Sequence, residues 1–165
     1  CIIDKAALLE MGRIAKESGN DLLKEYAELK CASADINIAI RACRMGKDAD
    51  FLEKSLAECD SLSVPRLTTA ACSGLEAIYE YLSTTAYFDA VPEIQKSPVA
   101  FDKWCDDRLM KLIQPQKYNA FTISPLAAFV LAKENEIKSV RIILSGKIND
   151  LPDEKIRERL RASYV

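Results

Sequence analysis

Apolar positions recur every three or four residues through most of the chain, and the rhythm breaks at Gly, Pro and short polar clusters. This pattern predicts an all-α fold with helices near 4–17, 21–45, 50–59, 73–84, 98–113, 124–145 and 152–163, and a short helical piece over 64–71. Asp4 is placed to cap the first helix, with Gly19 beyond its end. Asp21 is placed to cap the long second one, with Gly46 as its stop. Asp48 or Asp50 serves the third. Ser73 and Glu76 have capping-box spacing. Ser97-Pro98 and Ser124-Pro125 put Pro inside a helix start. The long helix from Ser124 is expected to end at Gly146. Pro152 opens the last helix, whose early Asp153 and Glu154 and later Arg157, Arg159 and Arg161 suit the helix dipole. Thr122-Ile123 is β-branched, but no alternating run with a hairpin turn follows it. Residues 86–97 and 114–123 read as linkers.

The chain also resembles itself at a constant offset of 100. Ala27/Ala127, Ala32/Ala132, Arg41/Arg141, Gly46/Gly146 and Lys47/Lys147 are identical. Asp35/Asn135, Ile40/Val140, Glu53/Asp153 and Leu56/Ile156 are conservative pairs. In each copy a long helix is expected to end in Gly-Lys, followed by a loop and a short charged helix. Asp4-Lys5 and Asp102-Lys103 would open the helix before it. The expectation is two helical repeat units, 1–90 and 91–165.

Composition narrows the function classes. Of 165 residues, 49% are apolar and 29% charged, enough to bury a core and cover it. The formal net charge of -2 lacks the basic excess of a nucleic-acid binder. Acidic residues outnumber basic ones over 1–60, and the reverse holds over 133–165. No apolar run reaches the roughly 18 residues of a membrane span; Ile142-Ile143-Leu144 reads as a piece of helix core. The start, Cys1-Ile2-Ile3-Asp4-Lys5, has neither the basic nor the apolar region of a signal peptide and no initiator Met, so the chain reads as a fragment, cut by design or by processing. Six cysteines (Cys1, Cys31, Cys43, Cys59, Cys72 and Cys105) stand apart with no C-x-x-C, and histidine is absent. That spacing predicts free thiols on helices and neither a zinc site nor any other cofactor.

Motifs for chemistry are sparse. Gly46-Lys47 and Ser145-Gly146-Lys147 evoke a phosphate loop, but Arg41 and Arg141 stand where its first Gly belongs, and Asp48 and Ile148 where its Ser or Thr belongs. Both sites also close helices, whose ends present carbonyls. Asp106-Asp107 are helix neighbours that face different ways, a poor acid–base pair. Glu134, Lys138 and Arg141 read as a charge ladder. Without His, nucleophilic catalysis by Ser or Cys lacks its usual base, so no catalytic residue is expected. Lys133 falls in the middle of an apolar face made by Leu126, Val130, Ile137, Val140 and Leu144. There it either snorkels or pairs with a buried carboxylate at a contact between subdomains. Arg141, Lys147, Arg157 and Arg159 gather around the last long helix and the closing helix. They suit docking on an acidic partner, or else are solvated or bound to the domain's own Glu134 and Glu158.

The stretch Leu131-Ala132-Lys133-Glu134-Asn135-Glu136-Ile137-Lys138-Ser139-Val140-Arg141-Ile142-Ile143-Leu144-Ser145-Gly146-Lys147 resembles the C-terminal part of the C subunit of V-type/A-type ATPases, called d in eukaryotic pumps. Asn149-Asp150-Leu151-Pro152 through Arg161-Ala162-Ser163-Tyr164-Val165 is similar to that family's ending. Ile3-Asp4-Lys5, Leu22-Leu23-Lys24-Glu25-Tyr26, the run Asp35-Ile36-Asn37-Ile38 to Arg41, and the Leu82, Thr85, Tyr87 pattern resemble its central part. Ala32 departs from an acidic position of the family. The resemblance implies the C-terminal half of a protein twice this length, with 1–90 the central and 91–165 the C-terminal domain. It implies a funnel of three related helical domains around a pseudo-threefold axis. Such a protein is a non-catalytic rotor part, linking the central-stalk subunits D and F to the membrane proteolipid ring for proton or sodium transport. It would be cytoplasmic and peripheral to the membrane, with no nucleic-acid partner, no membrane span of its own and no cofactor. Its partner contacts are expected among Lys133, Arg141, Lys147, Arg157 and Arg159, and an isolated piece of it is expected to be capable of self-association. A helical-repeat adaptor is the alternative reading.

Overall fold

The computed structural model describes residues 2–164, the side chain of Ile2 excepted; Cys1 and Val165, named above, lie outside the described residues. Among the described residues the fold is all-α, with no strand. No helix among the described residues is long and apolar enough to cross a membrane. The chain divides into two compact units, Cys1–Pro92 and Glu93–Val165.

The first unit is built around α2 (Asp21–Arg44), against which α1 (Ile2–Glu17), α3 (Ala49–Ser55), α4 (Val64–Ser73) and α5 (Leu75–Ser83) pack. Ile36 of α2 meets no solvent, nor do Leu52, Leu56, Leu67, Ile78 and Leu82. The start of α2 corrects the sequence expectation. Asn20 is the cap, its Oδ1 accepting from Leu23 N at 3.1 Å, and Asp21 is the first helical residue. Asp48 caps α3 through Phe51 N. Gly46, at φ 62, stops α2 as expected: Lys47 N bonds Ala42 O and Gly46 N bonds Cys43 O, the paired bonds of a left-handed stop.

Two boundaries differ. α3 ends at Ser55 rather than 59, because Leu56 turns extended and buries itself with Ala57, whose N–H is taken by Asp35 Oδ1 at 3.0 Å. Ser73 is no cap: it is the last residue of α4, and its hydroxyl donates back to Thr69 O. Gly74, at φ 130, makes the break between α4 and α5. The expected linker 86–97 is largely helical, holding a 3₁₀ turn at Phe88–Ala90 and α6 (Val91–Lys96), which spans the unit boundary.

The second unit consists of α7 (Pro98–Ile113), a 3₁₀ turn at Gln114–Tyr118 inside the second expected linker, α8 (Ser124–Ile148) and α9 (Asp153–Arg159). Ser97 Oγ accepts from Ala100 N, and Pro98 occupies the first turn, as the sequence predicts. Phe101, Leu109, Met110 and Ile113 of α7 are buried, as are Ala128, Leu131 and Ala132 of α8. The end of α8 is a correction. Gly146 lies inside the helix, which continues to Ile148. The stop is Asp150, at φ 52, with Leu151 N on Gly146 O and Asp150 N on Lys147 O. α9 also ends early, at Arg159 rather than 163, because Leu160 turns extended and Ala162 beyond it bonds to α7 and α8.

Candidate partner-contact surface

The tail after α9 is held by polar groups that α7 and α8 present. Asp106 of α7 is buried, with Arg161 Nε 2.9 Å from its Oδ2 and Lys138 Nζ 2.7 Å from its Oδ1. Burial pushes the Asp106 carboxyl up. The hydrogen bonds and charges of Lys138 and Arg161 outweigh that effect and hold it below the usual carboxylate range. Asp107 Oδ1 accepts from Ala162 N at 2.7 Å, Asn135 Nδ2 donates to Ala162 O at 3.1 Å, and Lys103 donates to Leu160 O. The Asp106-Asp107 pair is therefore a clasp, its two carboxylates turned to different partners. The charge ladder of Glu134, Lys138 and Arg141 is corrected in the same way, since Lys138 leaves α8's own surface for Asp106.

α9 is held against α8 at Gly146. A Cβ at that position would fall 2.6 Å from Ile156 Cγ1 and 2.7 Å from its Cδ1, so the glycine is there for close approach. Beside this contact lies a cleft of about 200 Å³, lined by Arg141, Ile142, Ser145, Leu151, Ile156 and Arg159. Arg141 and Arg159 are exposed at its rim. Among the described residues no carboxylate stands at ion-pair distance from Arg141, Arg157 or Arg159. Lys147 does have a partner, Asp153 at 2.5 Å, which holds that carboxyl below its ordinary range with help from Arg157. Lys133 pairs with Glu136 at 2.7 Å and lies over the Phe129 ring. That carboxylate is half exposed, so the partner found for Lys133 among the described residues is not a buried one.

The apolar face around Lys133 is turned to solvent. Leu126, Val130, Ile137, Val140 and Leu144 form that face, and each is at least 50% exposed. Phe129 and Ile143 are exposed too, so the Ile142-Ile143-Leu144 run is not helix core. The inward side of α8 is the small-residue side, with Ala128, Ala132 and Asn135 allowing it to lie close to its neighbours. The second unit thus shows solvent a long apolar helix face bearing Lys133, and two arginines on a neighbouring cleft. A surface of this kind can bury apolar area against another protein and fix orientation through carboxylates. The signal available in the sequence was excess: α8 offers more large apolar residues than a helix with few packing neighbours can bury.

A family model described as ATP synthase (C/AC39) subunit matches residues 1–159. The chain is 26% identical to the C subunit of the V-type sodium ATPase of Enterococcus hirae, over 99% of this chain and 51% of that protein. It is 24% identical to the C subunit of the A-type ATP synthase of Methanocaldococcus jannaschii, over 96% of this chain and 42% of the relative. With the same-named protein of Thermococcus kodakarensis the identity is 24%, over 92% and 42%. The chain spans about half the length of the curated relatives it matches. No solved structure matches it.

Proposed function

The chain belongs to the ATP synthase (C/AC39) subunit family, and on that premise we propose that it is the C-terminal half of the C subunit of a V-type/A-type rotary ATPase, related to the d subunit of eukaryotic pumps. The observation that carries this reading is the family match along residues 1–159. In this role the protein is an accessory, non-catalytic part. It couples the central-stalk subunits D and F to the proteolipid ring on the cytoplasmic side of the membrane. Residues 1–90 and 91–165 would be two of its three helical domains. The exposed apolar face of α8 and the free arginines of the α8–α9 cleft support the reading, because a part that only joins others needs contact surface and no reaction centre.

The test is reconstitution of the full-length protein with purified D–F stalk and with detergent-solubilised proteolipid ring. Co-elution with both, and loss of ATP-driven ion transport in vesicles when it is omitted, is the expected result. Failure to bind either would remove the reading. Scattering of the full-length protein that fits an extended solenoid better than a closed funnel would favour a helical-repeat adaptor instead.

A further inference from the structure

Away from that surface, the first unit brings together three groups that the sequence keeps apart. Cys31 and Asp35 lie one turn apart on α2, on a shared face. Cys59 returns to them from the segment after α3. The Cys31 and Cys59 sulfurs and an Asp35 carboxylate oxygen all lie within 4.8 Å of one another. Asp35 has no solvent exposure. Its Oδ1 accepts from Ala57 N at 3.0 Å, while Oδ2 has no hydrogen-bond partner. A buried carboxylate oxygen left unpartnered is costly unless something binds it.

We propose that Cys31, Asp35 and Cys59 form a binding site for one thiophilic divalent cation of the zinc class, with a fourth position open to the adjoining cavity. The donor set is two soft sulfurs and one oxygen, which suits a tetrahedral ion. Ligand atoms around such an ion stand roughly 3.8 Å apart, from metal–sulfur bonds of about 2.3 Å. Small side-chain rotations close the difference from the separation seen here. The cavity, about 760 Å³, is lined by Cys31, Cys59, Glu28, Glu58 and Leu62 among others, and it leaves room for a water ligand. Glu28 is not counted as a ligand, because it is committed to Asp60 N, Ser61 N and Ser61 Oγ. That bond set instead fixes the loop that delivers Cys59. Two thiolates and a carboxylate exceed the charge of the ion by one, and Lys5 acts on Asp35 with the opposite sign. Cys31 Sγ reaches Ala57 O at 3.8 Å and Glu58 O at 3.9 Å, which sets it beside the segment that carries Cys59. On binding, the two S–H bonds give way to metal–sulfur bonds, their protons leave to solvent, and Cys31 gives up its weak contacts to Ala57 O and Glu58 O. The ion would pin the segment after α3 to the middle of α2.

The test uses the full chain, reduced and freed of metal by a chelator, titrated with Co²⁺ and then Zn²⁺. The expected result is one equivalent of Co²⁺ with thiolate charge-transfer bands and the visible bands of a tetrahedral ion, displaced by one equivalent of Zn²⁺. Zinc also raises the thermal midpoint. Cys59→Ser abolishes the charge-transfer signal, and Asp35→Asn, which keeps an oxygen for Ala57 N, weakens binding at least tenfold. Exposed Cys72 is the control, and Cys72→Ser changes nothing. Absence of a thiolate band, an unchanged titration in Asp35→Asn, or recovery of the chain as first purified with a Cys31–Cys59 disulfide in place of bound metal overturns the proposal.

Discussion

At the scale of single residues, the most consequential buried charge in the second unit is Asp106. Arg161 is 9% exposed in its side chain and Lys138 is 43%, so Arg161 is the partner that depends on the pair. Asp106→Asn leaves that guanidinium buried beside a neutral amide and is expected to cost about 3 kcal/mol at neutral pH, the low end for breaking a buried pair. The folded carboxyl is held below its ordinary range. Its contribution is therefore complete above the unfolded value, about 3.9. It is lost as pH falls through the lower, folded value. Lys138, Arg161 and the neighbouring Asp107–Lys103 pair are the charged groups around it. Urea unfolding should show the gap between wild type and variant narrowing below about pH 4; a constant gap from pH 7 to 3 would mean the aspartate acts only by its shape. Nothing in the sequence singled Asp106 out from Asp107, because both are exposed-looking acids in a helix. What distinguishes them is where Lys138 and the tail arrive. Cys59 was equally hidden: ligand spacing in sequence detects sites built on one loop, and Cys31 meets Cys59 only through the fold.

At the scale of elements, helix types and rough positions were legible and the residues that start and stop them less so: Asp4 lies inside α1, and Ser124 begins α8 without capping it. Gly46 and Gly146 stand in the same Gly-Lys setting, yet one is a left-handed stop and the other a contact for Ile156. Local sequence carries the first role; the second depends on a residue ten positions on. The repeat at offset 100 is best proposed in altered form. Asp35 and Asn135 are both buried and both hydrogen-bond to the segment after a seven-residue helix, at offset 100. The stops at Gly46 and Asp150, and the buried Leu52 and Ile156, stand 104 apart. One added helical turn in α8, between Asn135 and its end, accounts for both offsets. Two substitutions probe these ends. Asp150→Gly relieves a non-glycine residue at positive φ and should stabilise the second unit by about 0.5–1 kcal/mol. Gly146→Ala should destabilise by about 1–3 kcal/mol through its clash with Ile156. Ile156→Ala should recover part of that loss in a double-mutant cycle. Additive losses would show that α9 does not bear on Gly146.

At the scale of the whole molecule, family membership was legible because the last forty residues hold a dense, specific string of charged and glycine positions. Which surfaces face partners was not, since an apolar stripe reads the same whether it packs inside or waits for another chain. The exposed face of α8 and the cations beside it now give that question a sharp form. Arg157 and Arg159 lie on α9, exposed and without a carboxylate at ion-pair distance among the described residues, so they add little to the fold. An exposed pair would be worth at most about 1 kcal/mol even if it formed. Buried against an acidic partner surface, each would cost about 2–5 kcal/mol on truncation. In the full-length protein, Arg157→Ala and Arg159→Ala are therefore expected to weaken binding to the central stalk or the proteolipid ring by at least roughly thirtyfold. The thermal midpoint should stay within about 1 °C of wild type, because surface substitutions of this kind rarely move stability. Lys147→Ala, which removes only a solvent-exposed pair with Asp153, should leave both properties nearly unchanged. If the arginine variants lose melting temperature and binding in step, the two arginines hold α9 in place and the docking surface lies elsewhere, on the apolar face of α8. The matching substitution there, Ile137→Asp, then becomes the one expected to release the partner.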